Sequence, residues 1–254
     1  MVLPGKQDAV ARGCRCDVCP LREAEGPVFP ETRSSTTIAL IGDYPGENEI
    51  REGRPFVGPP GNLLMKAVKM AGLRRNDIHW TNLIMCRPPE NDLKKFLESI
   101  ARQNKKNERE NKAKLKEAKK QKLDPDSVQL IPKIESPIEC CAPRLKRETE
   151  RFNRVIPAGS FTVKKVVGKG ASMFSLRGAP VTVERDGREV KMLPILSPGF
   201  VLHTMRWNHV LINDMRRAVR FFNDQMNWSP PQITYNPTAR QLLEFIERNP
   251  VLSC

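Results

Sequence analysis

The stretch from 36 to 86, TTIALIGDYPGENEIREGRPFVGPPGNLLMKAVKMAGLRRNDIHWTNLIMC, decides the fold. TTIALI (36–41) is a short apolar, β-branched run that ends at Gly42, the pattern of a buried strand feeding a Gly/Pro loop. After the loop GRPFVGPPG (53–61), NLLMKAVKMAGL (62–73) carries apolar residues at helical spacing and stops at Gly72. IHWTNLIMC (78–86) is a second strand, ended by Arg87-Pro88-Pro89. Strand, helix and strand in this order make a parallel βαβ unit, and so an α/β protein.

The α/β pattern resumes beyond 138. PRLKRETERFNR (143–154) reads as a helix, RVIPAG (154–159) as a strand, and SFTVKKVVG (160–168) as either. VTVERDGREVKMLPIL (181–196) holds a hairpin signal, Asp186-Gly187, between alternating residues. Residues 209–226 read as a closing helix and 228–237 as a linker, after which Thr238 caps a helix, ARQLLEFIER (239–248). Residues 93–122 differ in character, with twelve Lys and Arg against four Glu. Leu93, Phe96, Leu97 and Ile100 give the first half of this segment one apolar face. Its second half, NKAKLKEAKKQK (111–122), has almost none and is expected to be a solvated helix or disordered. An exposed charged insertion and a dedicated DNA-binding element are both open readings.

A chain of 254 residues can bury one core plus an appendage. Its 43 Lys and Arg against 29 Asp and Glu, a net +14, favour a polyanionic partner, nucleic acid before an acidic membrane surface. No run of apolar residues is long enough to span a bilayer, and the N-terminus lacks the apolar core of a signal peptide, so a cytoplasmic protein is expected. Cysteines at 14, 16, 19, 86, 140, 141 and 254 then need a reading other than disulfides, and their crowding suggests ligation of a metal or cluster.

Four segments, in order, resemble one family. GDYPGENEIREGRPFVG (42–58) resembles the first motif of iron–sulfur-containing uracil-DNA glycosylases, whose usual form is G-E-A-P-G followed by G-x-P-F-V-G. TNLIMCRPP (81–89), CAPRL (141–145) and CDVCPL (16–21) resemble three further family segments. The resemblance implies a three-layer αβα fold around a central, mostly parallel four-stranded sheet. The expected glycosylase-like domain covers 1–227, with the Lys-rich insertion at about 91–137, and the expected form is a monomer acting on DNA.

Such an enzyme pulls a nucleotide from the stack into a tight pocket. Gly42 and Gly46 around Pro45 make a rigid turn that allows close approach of a ligand. The resemblance implies that Phe56 stacks on the base. Asn82, near a strand's C-terminal end, offers a donor and an acceptor to the edge of uracil. The family's acidic residue falls on Asp43, one methylene shorter than the usual Glu. Glu47 and Glu49 are expected to lie beyond the pocket loop. Tyr44 replaces a small residue, and Pro59-Pro60 replaces a more usual Arg-Ala. Where the family carries H-P-S, this chain has Ser197-Pro198-Gly199; a serine donates a hydrogen bond but carries no charge, and His203 is expected to lie too far along to replace it. Either the pocket serves a changed base or catalysis is weakened or lost while DNA binding is kept.

By resemblance the cluster ligands are Cys16, Cys19, Cys86 and Cys141, holding a 4Fe-4S cluster; four thiolates would also suit zinc, and Cys14 and Cys140 are alternates. The ending PTARQLLEFIERNPVLSC (237–254) resembles the opening of the proofreading exonuclease domain of family A DNA polymerases. It implies a linker and a truncated following domain at 228–254, and hence fusion to a polymerase of a kind found in large bacteriophages. The expected setting is then a bacterial or phage-infected cell. The alternative function is a catalytically weak or inactive DNA-binding module of that polymerase.

Overall fold

The computed structural model describes residues 5–33, 36–168, 170–226 and 238–248. The chain divides into two compact units after Asp224. In the first unit a short helix, α1 (Lys6–Ala11), precedes strand β1 (Ile38–Gly42), helices α2 (Glu47–Glu52) and α3 (Gly58–Met70), and strand β2 (Ile78–Asn82). Helices α4 (Leu93–Lys120) and α5 (Pro137–Thr149), strand β3 (Arg154–Pro157), and helices α6 (Ser160–Val166) and α7 (Met173–Leu176) follow. The hairpin β4 (Val181–Arg185) and β5 (Arg188–Met192) leads to α8 (Pro198–His203) and α9 (Asn208–Phe222). The second unit's described residues form α10 (Ala239–Arg248), where Thr238 Oγ1 accepts from the Gln241 amide as a cap.

The sheet runs β2-β1-β3-β5-β4. Its first four strands are parallel, and β4 pairs antiparallel with β5 through the Asp186-Gly187 turn. The expected four parallel strands are present, but the hairpin adds a fifth that the four-stranded expectation omitted. Alternation along β1 explains the layering. Ile38 and Leu40 face a core shared with Leu64 of α3, Val201 of α8 and Met215 of α9. Ala39 and Ile41 face the opposite core, with Leu145 of α5 and Val166 of α6. Helices therefore cover both faces, as the resemblance implied.

One local feature departs from the sequence reading, and one open choice is decided. Helix α5 begins at Pro137, six residues earlier than expected, because Ser136 accepts from the Glu139 amide as a cap and proline is tolerated in a first turn. Pro143 inside the helix cannot donate to the Glu139 carbonyl, and Arg15 takes that acceptor at 3.2 Å. Arg15 also donates its amide to the Cys140 carbonyl, so the N-terminal cysteine segment docks on α5 through acceptors that include the one Pro143 leaves open. The Lys-rich segment is ordered as one 28-residue helix, which settles the choice between solvated helix and disorder.

Candidate active site

Seven of the eight pocket positions singled out from the sequence line one cavity of about 170 Å³ at the C-terminal ends of β1 and β2. They are Gly42, Asp43, Tyr44, Gly46, Phe56, Asn82 and Ser197; Pro45 is buried in the turn between Tyr44 and Gly46. A larger cavity of about 410 Å³ lies among α5, α6 and the hairpin and contains none of them. Glu49 also lines the first cavity, contrary to expectation: Gly46 is the N-cap of α2, and Glu49 turns back to accept the Gly46 amide at 3.0 Å. Glu47 points outward toward Arg87. His203 is exposed at the end of α8 and does not line the cavity.

Asp43 leaves β1 toward the N-terminus of α6. Its Oδ1 accepts the Thr162 amide at 2.8 Å and lies 2.7 Å from the Thr162 hydroxyl. Burial pushes its pKa up to about 6, against the downward pull of Thr162 and the Phe161 amide. Gly159 makes the approach feasible. Its φ is +115°, and a Cβ there would sit 2.4 Å from Asp43 Oδ2.

Phe56 and Asn82 flank Gly42, where a Cβ would come within 2.7 Å of the Phe56 ring and 2.4 Å of Asn82 Oδ1. Phe56 itself has φ +53°, a strained value for a non-glycine residue. Arg75 holds that backbone by donating to the carbonyls of Pro55 at 2.6 Å and Phe56 at 3.2 Å, while Glu31 anchors the guanidinium at 2.9 Å. The Phe56 ring packs on Trp80 with centroids 5.4 Å apart. The Asn82 side-chain amide makes no hydrogen bond to the protein among the described residues, which leaves its donor and acceptor for a ligand. Tyr44 closes another wall, and its hydroxyl donates to the Asn91 carbonyl at 2.9 Å. Ser197 is the residue before α8 and makes no capping bond.

Arg144 is the residue sequence reasoning missed. It lies inside CAPRL, three residues beyond Cys141, and is 1% exposed. Its guanidinium donates to the carbonyls of Asn82 at 2.8 Å and Leu83 at 3.2 Å, to Thr81 Oγ1 at 2.9 Å, and to Glu148 at 2.9 Å. Glu148 also bonds His79 at 2.6 Å, and these partners hold its carboxyl down at about 2 despite burial. An arginine four residues before a glutamate was the available signal.

Six cysteines, at 14, 16, 19, 86, 140 and 141, are buried and line one small cavity with Lys6 and Met85. Lys6 supplies the test of whether a metal group fits. Its ammonium is 1% exposed and donates to the carbonyls of Leu21 and Ala24 and to Cys86 Sγ, each at 3.0 Å, with no carboxylate partner among the described residues. A buried cation needs a buried anion, and metal-held thiolates supply one. The donor set therefore fits a four-thiolate group, with Cys16, Cys19, Cys86 and Cys141 as the expected ligands. Among the described residues no three side chains converge on a single-ion site. Cys14 lies 4.0 Å from Cys141, so the alternates sit within the same nest.

A family model described as the uracil DNA glycosylase superfamily matches residues 29–219. The type-4 uracil-DNA glycosylase of Saccharolobus solfataricus is 30% identical over 212 residues, covering 80% of each chain. That of Archaeoglobus fulgidus is 25% identical over 217 residues, 83% of this chain and 89% of its own. That of Thermotoga maritima is 41% identical over 78 residues, 30% of this chain and 41% of its own.

Proposed function

This chain belongs to the uracil-DNA glycosylase superfamily, and from that premise we propose that it flips uracil or a related modified pyrimidine out of DNA and hydrolyses its N-glycosidic bond. The observation that carries the reading is the meeting of Asp43, Phe56, Asn82 and Ser197 on one cavity wall. Phe56 stacks on the flipped base, and the free Asn82 amide reads its edge. As the bond from C1′ to the base breaks, its electron pair leaves with the base and positive charge builds on the sugar. Ionised Asp43 stabilises that charge and takes a proton from the water that attacks C1′. Ser197 donates to the departing base. Phe174, Phe200 and Trp207 form an aromatic group with centroids 5.8 to 6.5 Å apart, a surface on which a neighbouring base can stack.

Cys16, Cys19, Cys86 and Cys141 would hold the 4Fe-4S cluster, which would tie the N-terminal segment, the loop after β2 and α5 together; zinc is the alternative occupant. Ser197 supports a second reading, a weakly active or inactive DNA-binding module, because a neutral donor stabilises a leaving anion less than a charged one. The resemblance of the tail to an exonuclease opening supports fusion to a DNA polymerase.

Incubation with oligonucleotides carrying uracil or modified pyrimidines, followed by alkaline cleavage at abasic sites, tests the enzyme reading. Cleavage at the modified position supports it. Absence of abasic sites across the panel, with DNA still bound, selects the second reading.

A further inference from the structure

Helix α4 is not used by the pocket chemistry, yet its two faces are sharply divided. The inner seam runs through Leu97, Ile100, Asn104, Asn107, Asn111 and Ala118, at alternating spacings of three and four residues and a final seven. The returning segment 129–136 lies along it. Asn104 exchanges both of its amide's hydrogen bonds with the backbone of Ile134, at 2.9 and 2.8 Å, and Asn111 does the same with Ile131. These four directional bonds tie the middle of the helix to that segment, while Leu93 and Ile100 bury its first part.

About 140° round the helix from that seam stands a second stripe, Arg102, Lys105, Arg109, Lys112, Lys116 and Lys119. All six are exposed, and no acidic residue interrupts them. Only Lys112 is ion-paired among the described residues, to Glu108 at 2.6 Å. Lys106 and Lys120, which also pair, lie off the stripe, and Lys95, which pairs with Glu90, lies one heptad before its first member. The six cations span about 26 Å at 1.5 Å per residue. That length matches about seven or eight phosphates along one DNA strand. The rod also starts at the pocket. Asn91, two residues before α4, lines the cavity and receives the Tyr44 hydroxyl, and the stripe begins about 13 Å along the helix from this pocket-side end.

We propose that this stripe is a second DNA contact, a rail that holds the sugar–phosphate backbone several nucleotides away from the flipped base. The regular cations, five of the six without an ion pair among the described residues, fit a regular polyanion. A membrane surface would need an apolar face to insert, and the α4 face that carries apolar residues is occupied by segment 129–136. The identity of the polyanion rests on the glycosylase reading; the existence of the rail does not require excision.

The test replaces all six with Gln, which retains helix propensity, in the full chain, and follows DNA affinity by anisotropy across salt concentrations. On a duplex of about 30 base pairs the slope of log K against log salt should fall by about 5, and on a single strand by about 4. On a DNA too short to leave the pocket the slope should not change. Circular dichroism confirms that α4 is retained. An unchanged slope on the long DNA overturns the proposal, as does an equal loss on the short DNA. Competition by polyglutamate as strong as that by DNA of equal charge would also overturn it, by pointing to an acidic protein. A slope change without any excision keeps the rail and rejects the enzyme reading.

Discussion

Arg144 donates to the backbone carbonyl of Asn82 at 2.8 Å, which joins the helix bearing Cys141 to the residue whose amide faces the pocket. The same guanidinium answers Glu148, so the pair is a buried ionic unit with one function at each end. Removing one member leaves the other charge buried and unpaired, which costs about 3–5 kcal/mol. Arg144→Met should therefore lower unfolding stability in urea by that order. Folded protein recovered at low temperature should show a lower kcat/KM for excision with its iron content unchanged. A variant as stable as the parent would mean that Arg144 is not the support of Asn82.

The acid limb of stability follows from Glu148. Its folded pKa, about 2, lies below the ordinary 4.5, so ionised Glu148 favours the folded state above pH 4.5. That contribution, on the order of 3 kcal/mol, is lost as pH falls from about 4.5 to about 2. Glu148→Gln should flatten stability across this window when followed by denaturant titration at several pH values.

Excision should depend on pH through Asp43. Its raised pKa, about 6, means that the active carboxylate is lost as pH drops through that value, and activity should rise to a plateau above it. Thr162 lowers this pKa by donating to Oδ1. Thr162→Val should therefore shift the midpoint of the pH–rate profile upward, with the plateau reached later. A downward shift would contradict the assignment.

In the proposed chemistry Ser197 sets how well the departing base is stabilised. Ser197→His places a donor that can carry charge at the same wall, and the single-turnover rate should rise by up to about 100-fold, the low end of what a single well-placed donor supplies. An unchanged rate would place the leaving base elsewhere in the cavity.

The buried Lys6 ammonium should depend on the thiolate group. Cys16→Ser, Cys19→Ser, Cys86→Ser and Cys141→Ser should each lower bound iron and visible absorbance, whereas Cys14→Ser and Cys140→Ser should not. Loss of iron on changing Cys14 instead of Cys16 would reassign the ligand set within the nest.

Much of this architecture was legible in the chain because its signals are local. TTIALI and IHWTN became β1 and β2, and the glycines of 42–61 marked the pocket loop. Asp186-Gly187 gave the hairpin, although its outer strand was left out of the sheet. The misses are of a different kind. Glu49 is not legible as a pocket residue, because loop geometry, set by a helix capped at Gly46, decides where a side chain three residues on will turn. Arg144, Arg75 and Lys6 act across separations of 15 to 80 residues, on backbone carbonyls and a sulfur that spacing cannot reveal. The order of α4 rests on Asn104 and Asn111, whose partners lie on a segment with no periodicity of its own.

Asp43 is the carboxylate proposed to drive bond cleavage in the pocket that holds the base. The most direct measurement is single-turnover excision of uracil by the parent and by Asp43→Asn at pH 8, with DNA affinity measured in parallel. The predicted result is cleavage by the parent, a loss of about 10²- to 10⁴-fold in the variant, and nearly equal DNA binding. Equal excision rates in the two proteins, or no excision by either, would contradict it.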